Sequence, residues 1–442
     1  MAQSDLAKLI ETVGPKVIAT RRDLHRHPEL GLTEFRTASL VARRLKDLGL
    51  ELRLGRDAMD SASRVGLPSA DELARCFQRA RDEGADPEFL PALEGGHTAV
   101  LGILKGAQPG PVVALRVDMD ALPILEDDSS AHFPVREGFV SQHRGVMHAC
   151  GHDSHTAMGL GVAEVLSQVR DRIHGTVKFI FQPGEEGGRG AAPMVKAGVA
   201  DDVDYLIAIH VGTGVPSRVL RPRVFGHLAS AKFDVTFRGH AAHAGGRPEE
   251  GKNALLGAAQ AVMGLYAISR HHTGRSRVNV GVLHAGSGRN VIADTATMLM
   301  EVRGENEEIV EYMIHRAEAV LRGAALAHDL EVDIRNVGRT TTADSDPPLA
   351  EAVAASAKDV TNLNVRLEPF CASGSEDATY FMRRVQERGG LAIYAVVGSD
   401  LPSGHHTTTF DINEADLPTA VDALSRSIIE LGQQPVRTAK AA

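Results

Sequence analysis

Residues 112–120 are Val-Val-Ala-Leu-Arg-Val-Asp-Met-Asp, a mostly apolar run that leads directly into two carboxylates. A short apolar run with polar groups at its end is typical of a strand buried inside a sheet. The carboxyl ends of parallel strands are where open α/β sheets place their ligands. This stretch therefore predicts a sheet edge that carries chemistry at Asp118.

The same arrangement recurs on both sides of this stretch. Strand-like and helix-like segments alternate, which predicts an α/β fold with a mostly parallel sheet and helices on both faces. The predicted strands are 98–104, 112–117, 177–181, 205–209 and 391–397, and the predicted helices among them are 69–84, 156–169 and 191–197.

The pattern changes after Arg221-Pro222, where strand-like 232–238, 277–283 and 297–303 accompany helix-like 253–268 and 308–327. That set predicts a smaller inserted α+β domain over 223–337. The main domain then comprises 1–222 and 338–442, and it carries an inserted segment at 55–96.

Composition excludes several classes of protein. The chain has 442 residues and a net charge of −9, which argues against nucleic-acid binding. No apolar run is long enough to span a bilayer, and residues 1–5 do not begin a secretory signal. Cys76, Cys150 and Cys371 are few, odd in number and far apart, which favours a reducing cytoplasm.

Several side chains of the metal-ligating type follow the predicted strands. Singly, each has a bland explanation: a lone cysteine is usually a small hydrophobe, a histidine at a strand end is usually a hydrogen-bonded polar residue, and a glutamate pair usually faces solvent. Together at one sheet edge, thiolate, imidazole and carboxylate predict a site for a divalent transition metal. These side chains are Cys150, His152, Glu185, Glu186, His210 and His406.

The adjacent pair Glu185-Glu186 suits a hydrolytic site. Such a site needs a carboxylate that binds the metal and a separate general base beside the attacking water. Neighbouring residues in a turn after a strand can supply both.

These motifs, in this order, resemble the di-metal peptidase and aminoacylase family, and specifically its amidohydrolase branch. The wider family has His-x-Asp where this chain has Arg116-Val117-Asp118, and a bridging carboxylate where this chain has Cys150. The amidohydrolase branch differs from the wider family in the same two ways. The matching motifs are Arg-x-Asp-Met-Asp-Ala-Leu at 116–122, Cys-Gly-His-Asp-x-His at 150–155, Gln-Pro-x-Glu-Glu at 182–186, Gly-His-Ala-Ala-His-Ala at 239–244, Asn-Val-Ile at 290–292, Arg303, Gly-Ser-Glu-Asp at 374–377 and the late His406.

The resemblance implies a role for each of these residues. It makes Glu185 the general base and His243 a histidine of a lid and dimerisation domain that reaches a partner's active site. It implies that Asn290 and Arg303 bind the carboxylate of the substrate. It implies two divalent metal ions, Mn or Zn, whose ligands are Cys150, His152, Glu186, His210 and His406.

Two segments are similar to one subfamily, whose members hydrolyse p-aminobenzoyl-glutamate: the insertion 55–96 and Gly-Thr-Gly-Val-Pro at 212–216. That similarity implies cleavage to p-aminobenzoate and glutamate, by a homodimer or by a hetero-oligomer with a related B subunit. Within the class, the alternative is an aminoacylase or hippurate-type hydrolase with another acyl group.

Two other classes stay open. A non-catalytic metal-binding subunit has no need of Glu185. An oxygenase could use His152, His210 and Glu186 as a facial triad, but the additional Cys150 and His406 fit hydrolysis better.

The insertion allows two interpretations. Leu73, Cys76, Phe77 and Ala80 form one apolar stripe at helical spacing, and something must cover it. Either the chain's own main domain covers the stripe, or the stripe recruits a partner subunit.

Overall fold

The computed structural model describes residues 3–372 and 374–437. They form two compact units. The first comprises the described residues up to Phe225, with Ala343–Ala372 and those from Asp377 onward, and the second comprises Gly226–Thr342 with 374–376. The predicted boundaries at 222 and 337 differ because a strand of the first unit continues to Phe225 and a strand of the second continues to Thr340.

The bounds of the regular elements are as follows. The helices are α1 (Gln3–Arg26), α2 (Phe35–Asp47), α3 (Ala70–Asp82), α4 (Leu90–Leu93), α5 (Phe133–Arg136), α6 (His152–Gln168), α7 (Ala191–Lys196), α8 (Ala254–Tyr266), α9 (Glu307–Ala327), α10 (Pro347–Ala357), α11 (Ala378–Glu387) and α12 (Asp416–Gly432). The strands are β1 (Glu51–Leu54), β2 (Val100–Lys105), β3 (Gln108–Asp118), β4 (His174–Gln182), β5 (Tyr205–Val211), β6 (Val219–Arg221), β7 (Val224–Phe225), β8 (Ala229–Arg238), β9 (Ser276–Ala285), β10 (Thr295–Gly304), β11 (Glu331–Thr340), β12 (Asn364–Val365), β13 (Phe370–Cys371) and β14 (Leu391–Val397).

The first unit contains a large sheet with a parallel centre, so the predicted fold class is confirmed. Its strand order is β1-β2-β4-β3-β5-β14-β6-β12, and β4, β3, β5 and β14 run parallel to their neighbours in that group. Val113, Ala114 and Leu115 of β3 are fully buried, as expected for a strand covered on both faces. The carboxyl ends of these four strands therefore lie along one edge.

Helix α6 lies against this sheet and is buried on almost all sides. Two glycines make the close approach possible. A Cβ on Gly159 would lie 2.9 Å from Val117 Cγ2, and a Cβ on Gly161 would lie 2.5 Å from Val17 Cγ2 of α1. The helix begins at His152, earlier than the predicted 156, so a predicted metal ligand occupies its first turn.

The inserted segment packs on the first unit itself. Cys76 and Ala80 of α3 are buried in the main core, and the Phe77 ring meets the Phe35 ring edge-on at 5.3 Å. The apolar stripe of α3 is therefore covered within this unit. The hypothesis that the stripe recruits a partner assumed an uncovered stripe, so this packing argues against it.

The second unit is an α+β domain. Its four strands form an antiparallel sheet in the order β11-β8-β10-β9, and α8 and α9 pack against it around a separate core. In the part of the chain that the structure describes, no helix is both long enough and apolar enough to cross a bilayer.

Candidate metal centre

The ends of four parallel strands and the start of α6 supply the polar groups of the site. Asp118 ends β3, and His210 is the penultimate residue of β5. Cys150 and His152 flank Gly151, which has a φ of 90°. A Cβ at Gly151 would lie 2.4 Å from Val211 Cγ1, so only glycine allows this turn to pack so closely on β5.

The structure brings the five predicted ligands together, with the predicted general base among them. Cys150 Sγ lies 3.4 Å from His210 Nε2, and His406 Nε2 lies 3.2 Å from Glu186 Oε1. Ligand atoms lie within 4.8 Å of one another in each of three overlapping groups, which are Cys150 with His152 and His210, Cys150 with Glu186 and His406, and His152 with Glu185 and Glu186.

His152 tests whether a cation fits here. Its side chain is fully buried, and among the described residues its Nε2 atom has no hydrogen-bond partner. Asp118 Oδ1 is 3.8 Å away and Glu185 Oε2 is 4.0 Å away, both beyond hydrogen-bond distance. A buried imidazole nitrogen without a partner is rare, and a metal ion would satisfy it. The donor set of sulfur, nitrogen and oxygen also suits a transition metal.

Neighbouring groups fix the tautomer of His210. Its Nδ1 atom donates to the carbonyl of Val211 at 2.8 Å, so its Nε2 lone pair faces Cys150. Burial, together with nearby His155 and His405, holds the pKa of His210 well below its usual range. The imidazole is therefore neutral, as a metal ligand must be.

His155 supports the site without being available as a ligand. Its Nδ1 atom lies 2.5 Å from Asp118 Oδ1, and its Nε2 atom accepts from the Val211 amide at 2.8 Å. Fully buried Arg116 donates from Nη1 to Asp118 Oδ2 at 2.7 Å and from Nε to Gln182 at 2.7 Å. This network joins β3, β4, β5 and α6 behind the ligands.

Three of the predicted ligands hold their protons more strongly than usual: Cys150, His152 and His406. Burial raises the pKa of Cys150. Burial would lower the pKa of His152, but the Asp118 charge and the contacts with Asp120 and Cys150 outweigh it and raise the pKa well above its usual value. Hydrogen bonds with Cys150 and Glu186 raise the pKa of His406 to about 10. Metal binding must therefore release protons and should weaken as the pH falls.

The remaining predicted site residues belong to the second unit. His243 is exposed, and its Nδ1 atom accepts from the amides of Gly245 at 3.1 Å and Gly246 at 2.9 Å. A neutral His243 therefore carries its proton on Nε2 and can donate from there. Asn290 is its neighbour, since the Ala244 amide donates to the Asn290 carbonyl at 3.0 Å.

Arg303 is not brought to Asn290 within this unit. Asn290 precedes the start of β10 at Thr295, whereas Arg303 lies at the far end of that strand. At about 3.4 Å per residue, Thr295 and Arg303 are roughly 27 Å apart. Arg303 Nε pairs with Glu301 Oε1 at 2.8 Å.

Sequence reasoning missed Glu34. Thr33 is expected to cap α2 with Glu34 in its first turn, but Glu34 itself occupies the cap position and makes no side-chain cap bond. Its carboxylate accepts instead from the Gly184 amide at 2.8 Å and from the Thr98 hydroxyl at 2.6 Å. An acidic residue at a helix start has a sufficient local explanation, so no sequence signal points to this contact.

A second missed residue is Asp120, which lies within the Arg-x-Asp-Met-Asp-Ala-Leu motif at 116–122. It accepts from the amides of Glu185 and Glu186, at 2.9 Å each. Asp120 thus fixes the backbone of both the predicted general base and the predicted ligand beside it.

Known proteins resemble the whole chain. The profile of peptidase family M20/M25/M40 matches residues 114–430. Indole-3-acetyl-aspartic acid hydrolase of Enterobacter agglomerans is 49% identical over 430 residues, which are 97% of this chain and 99% of that protein. The A subunit of p-aminobenzoyl-glutamate hydrolase from Escherichia coli (strain K12) is 47% identical over 425 residues, 96% of this chain and 98% of that protein.

A solved structure agrees with the fold over nearly its full length. The aminobenzoyl-glutamate utilization protein from Klebsiella pneumoniae superposes with a TM-score of 0.84 at 44% identity, covering 98% of this chain and 100% of that one. The expected resemblance to the p-aminobenzoyl-glutamate hydrolase A subunit is confirmed.

Proposed function

Because the chain belongs to peptidase family M20/M25/M40 and is a metal-dependent amide hydrolase, we propose that it cleaves N-acyl amino acids built from an aromatic acid and an acidic amino acid. The observation that carries this proposal is the buried cluster around His152, with Glu185 placed 4.0 Å from the imidazole nitrogen that has no hydrogen-bond partner. A non-catalytic metal-binding protein would not require a second carboxylate there, and family membership argues against an oxygenase.

Five residues would hold the metal. The mixed donor set admits two divalent ions, Mn or Zn. When bound, the ions polarise the scissile carbonyl and lower the pKa of a bound water. The ligands in this proposal are Cys150, His152, Glu186, His210 and His406.

Glu185 is the proposed general base. Its neighbour Glu186 turns toward His406, while the Glu185 carboxylate faces His152. Asp120 accepts hydrogen bonds from the backbone amides of both glutamates. With the backbone held in this way, one carboxylate points toward His152 and the other toward His406. In this arrangement Glu185 takes the proton of the attacking water and delivers it to the leaving amine.

The second unit would complete the reaction. His243 is proposed to donate from Nε2 to the developing oxyanion, in the active site of a partner chain. Asn290 and Arg303 are the proposed carboxylate-binding groups, and an arginine offers two parallel hydrogen bonds for that purpose. Since Asn290 precedes the start of β10 and Arg303 lies near its other end, a single carboxylate would need them from two different chains.

Two substrates share the proposed chemistry. p-Aminobenzoyl-glutamate is the first candidate, because of the Escherichia coli relative and the Klebsiella structure. Indole-3-acetyl-aspartate is the second, because the Enterobacter relative is slightly more similar, at 49% identity. Both are amides of an aromatic acid with an acidic amino acid.

The test is hydrolysis of a substrate panel by protein loaded with Mn or Zn. The panel holds both candidates, hippurate and N-acetyl-glutamate, and each is assayed with and without a co-expressed B subunit. We expect turnover of both candidates and little of hippurate or N-acetyl-glutamate, since each of the latter lacks one half of the proposed substrate. Turnover of hippurate alone would contradict the proposed substrate class, and no turnover with a partner present would contradict the enzyme assignment.

The partner in this proposal is an identical chain or a related B subunit, and the compartment is the cytoplasm. The Escherichia coli relative is itself named as the A subunit of its enzyme. Mass measurement of the purified protein, alone and after co-expression, distinguishes the two partners.

A further inference from the structure

We propose that Arg189 is a positioning residue for the residues 184–190, here called the Glu185 loop, and that the inserted segment 55–96 holds Arg189 in place through Gly66. This inference deepens the proposed function and rests on it. In this inference the insertion maintains the geometry of the metal centre and does not serve to recruit a partner.

The guanidinium of Arg189 joins the insertion to the loop. Its Nη1 atom donates to the Gly66 carbonyl at 3.0 Å, and its Nη2 atom donates to the Glu186 carbonyl at 3.1 Å. The guanidinium is planar and its donors have fixed directions. The position of the Gly66 carbonyl therefore constrains the backbone of a predicted metal ligand.

The other side of the loop is held separately. Glu34 accepts from the Gly184 amide, and Asp120 accepts from the amides of Glu185 and Glu186. These bonds hold backbone donors, whereas Arg189 holds the Glu186 carbonyl. Loss of Arg189 would thus release one end of the ligand peptide and leave the rest of the loop tethered.

The guanidinium is closely packed on the side that faces Gly31. A Cβ on Gly31 would lie 2.5 Å from Arg189 Nη2, 3.0 Å from Gly184 Cα and 3.1 Å from Asp120 Oδ2. Only glycine at position 31 lets the guanidinium, the loop and the Asp120 carboxylate converge. The contact is therefore confined by its surroundings and is not a chance approach of a surface side chain.

The insertion provides a firm support for Gly66. Arg64 Nη1 donates to the carbonyl of Gly95 at 2.7 Å, which ties this turn to the far end of the segment. Cys76 and Leu93 of the segment are buried in the core of the first unit. The Gly66 carbonyl is thus anchored on both sides.

The main test replaces Arg189 with methionine, with Arg170→Met as the matched control. Both substitutions remove an arginine bond to a glycine carbonyl, but Arg170 donates to Gly49, which lies outside the insertion, and only Arg189 reaches the loop. We expect R189M to weaken Zn or Mn affinity about 10- to 100-fold and to lower kcat with little change in KM, since groups that orient metal ligands act on this scale. R170M should stay near wild type in both, and R189K should be intermediate.

A second measurement needs no metal. Hydrogen exchange of the peptide covering the Glu185 loop, in chelator-treated protein, should be faster in R189M than in wild type and R170M. Loop amides such as Gly188, which donates to the Glu185 carbonyl at 2.7 Å, report the change. Equal exchange in all three proteins would overturn the inference.

A third comparison tests the path through the insertion. Gly66 has a φ of 61° and Gly84, in the same segment, has a φ of 84° with open space around it. Gly66→Ala should weaken metal binding, and Gly84→Ala should not. In the double variant, G66A should add little to the loss caused by R189M, because both substitutions break the same Arg189–Gly66 connection. Additive losses of metal affinity in the double variant would overturn the role of Gly66. If R189M does not fold, the metal affinities of R189K and G66A test the inference instead. Wild-type protein that binds no metal would instead refute the proposed function.

Discussion

Asp118 Oδ1 lies 2.5 Å from His155 Nδ1, and this contact joins the end of β3 to the first turns of α6. His155 Nε2 is in turn held by the Val211 amide of β5. Because both ring nitrogens are used by the protein, His155 is a support for the predicted ligands His152 and His210 and is not available as a ligand itself.

His155→Ala is therefore expected to weaken metal binding without removing a ligand. Asp118 Oδ1 would lose its histidine partner while Oδ2 keeps Arg116, and the β5 end that carries His210 would lose an anchor. We expect a loss of affinity of about 10- to 100-fold, measured by competition with a chelator. Exposed His272→Ala is the control. An unchanged affinity in H155A would mean that the ligands are positioned by other contacts.

Glu185→Gln should retain metal and lose turnover. The amide keeps the size of the side chain but cannot take a proton from water, so kcat should fall by about 10²–10⁴. Metal content is measured on the same sample, and Glu51→Gln, at an exposed position of β1, is the control. Near-normal turnover with metal bound would show that another group is the base.

Cys150→Ala should lower metal affinity sharply, because it removes the thiolate shared by two of the ligand groups. Cys76→Ala is the matched control, since Cys76 is also a buried free cysteine. We expect C76A to lower only the free energy of unfolding. If C150A and C76A bind metal equally well, Cys150 is not a ligand.

The stability of the first unit should depend on the protonation of His25. Burial and nearby Arg21 lower the pKa of His25, but hydrogen bonds with Asp153 at 2.8 Å and Glu126 at 2.9 Å outweigh them and raise it to about 9. A raised pKa in the folded state means that protonation stabilises the fold. This contribution is complete below about pH 6.5 and is lost as the pH rises through about 9.

His25→Gln removes that titration. The difference in unfolding free energy between wild type and H25Q, from denaturant titration of metal-free protein, should shrink by about 1–3 kcal/mol between pH 6 and pH 10. A difference that stays constant over this range would show that His25 is not charged in the folded protein.

A shared active site predicts complementation. His243→Ala and Glu185→Gln should each be inactive as homodimers. Mixed dimers would contain one site with both an intact base and an intact His243, so activity should recover to about a quarter of wild type at equal mixing, by random pairing. No recovery, with subunit exchange shown by mass, would exclude a site shared between identical chains.

Much of the site could be predicted from the sequence because its residues are local to recognisable patterns. Apolar runs such as 112–117 and 391–397 correctly predict the parallel strands β3 and β14, since strands buried on both faces have continuous apolar sequences. His210 lies at the end of β5, and Glu186 follows β4 by a short turn. Parallel strands align their carboxyl ends, so strand order brings these two residues to one edge, where the start of α6 adds Cys150 and His152.

Other features are decided only by the tertiary structure. Glu34, Asp120 and Arg189 contact the Glu185 loop through backbone groups, which carry no sequence signature. The separation of Asn290 from Arg303 follows from the length and register of β10.

The insertion illustrates the same division. Its apolar stripe is evident from helical spacing, but the sequence could not say what covers it, because burial depends on which distant surface the fold places beside it. The stripe meets Phe35 of α2, and the Gly66 carbonyl meets Arg189. Local patterns determine which residues share a face or a strand end, and packing between distant segments determines which groups hold them there.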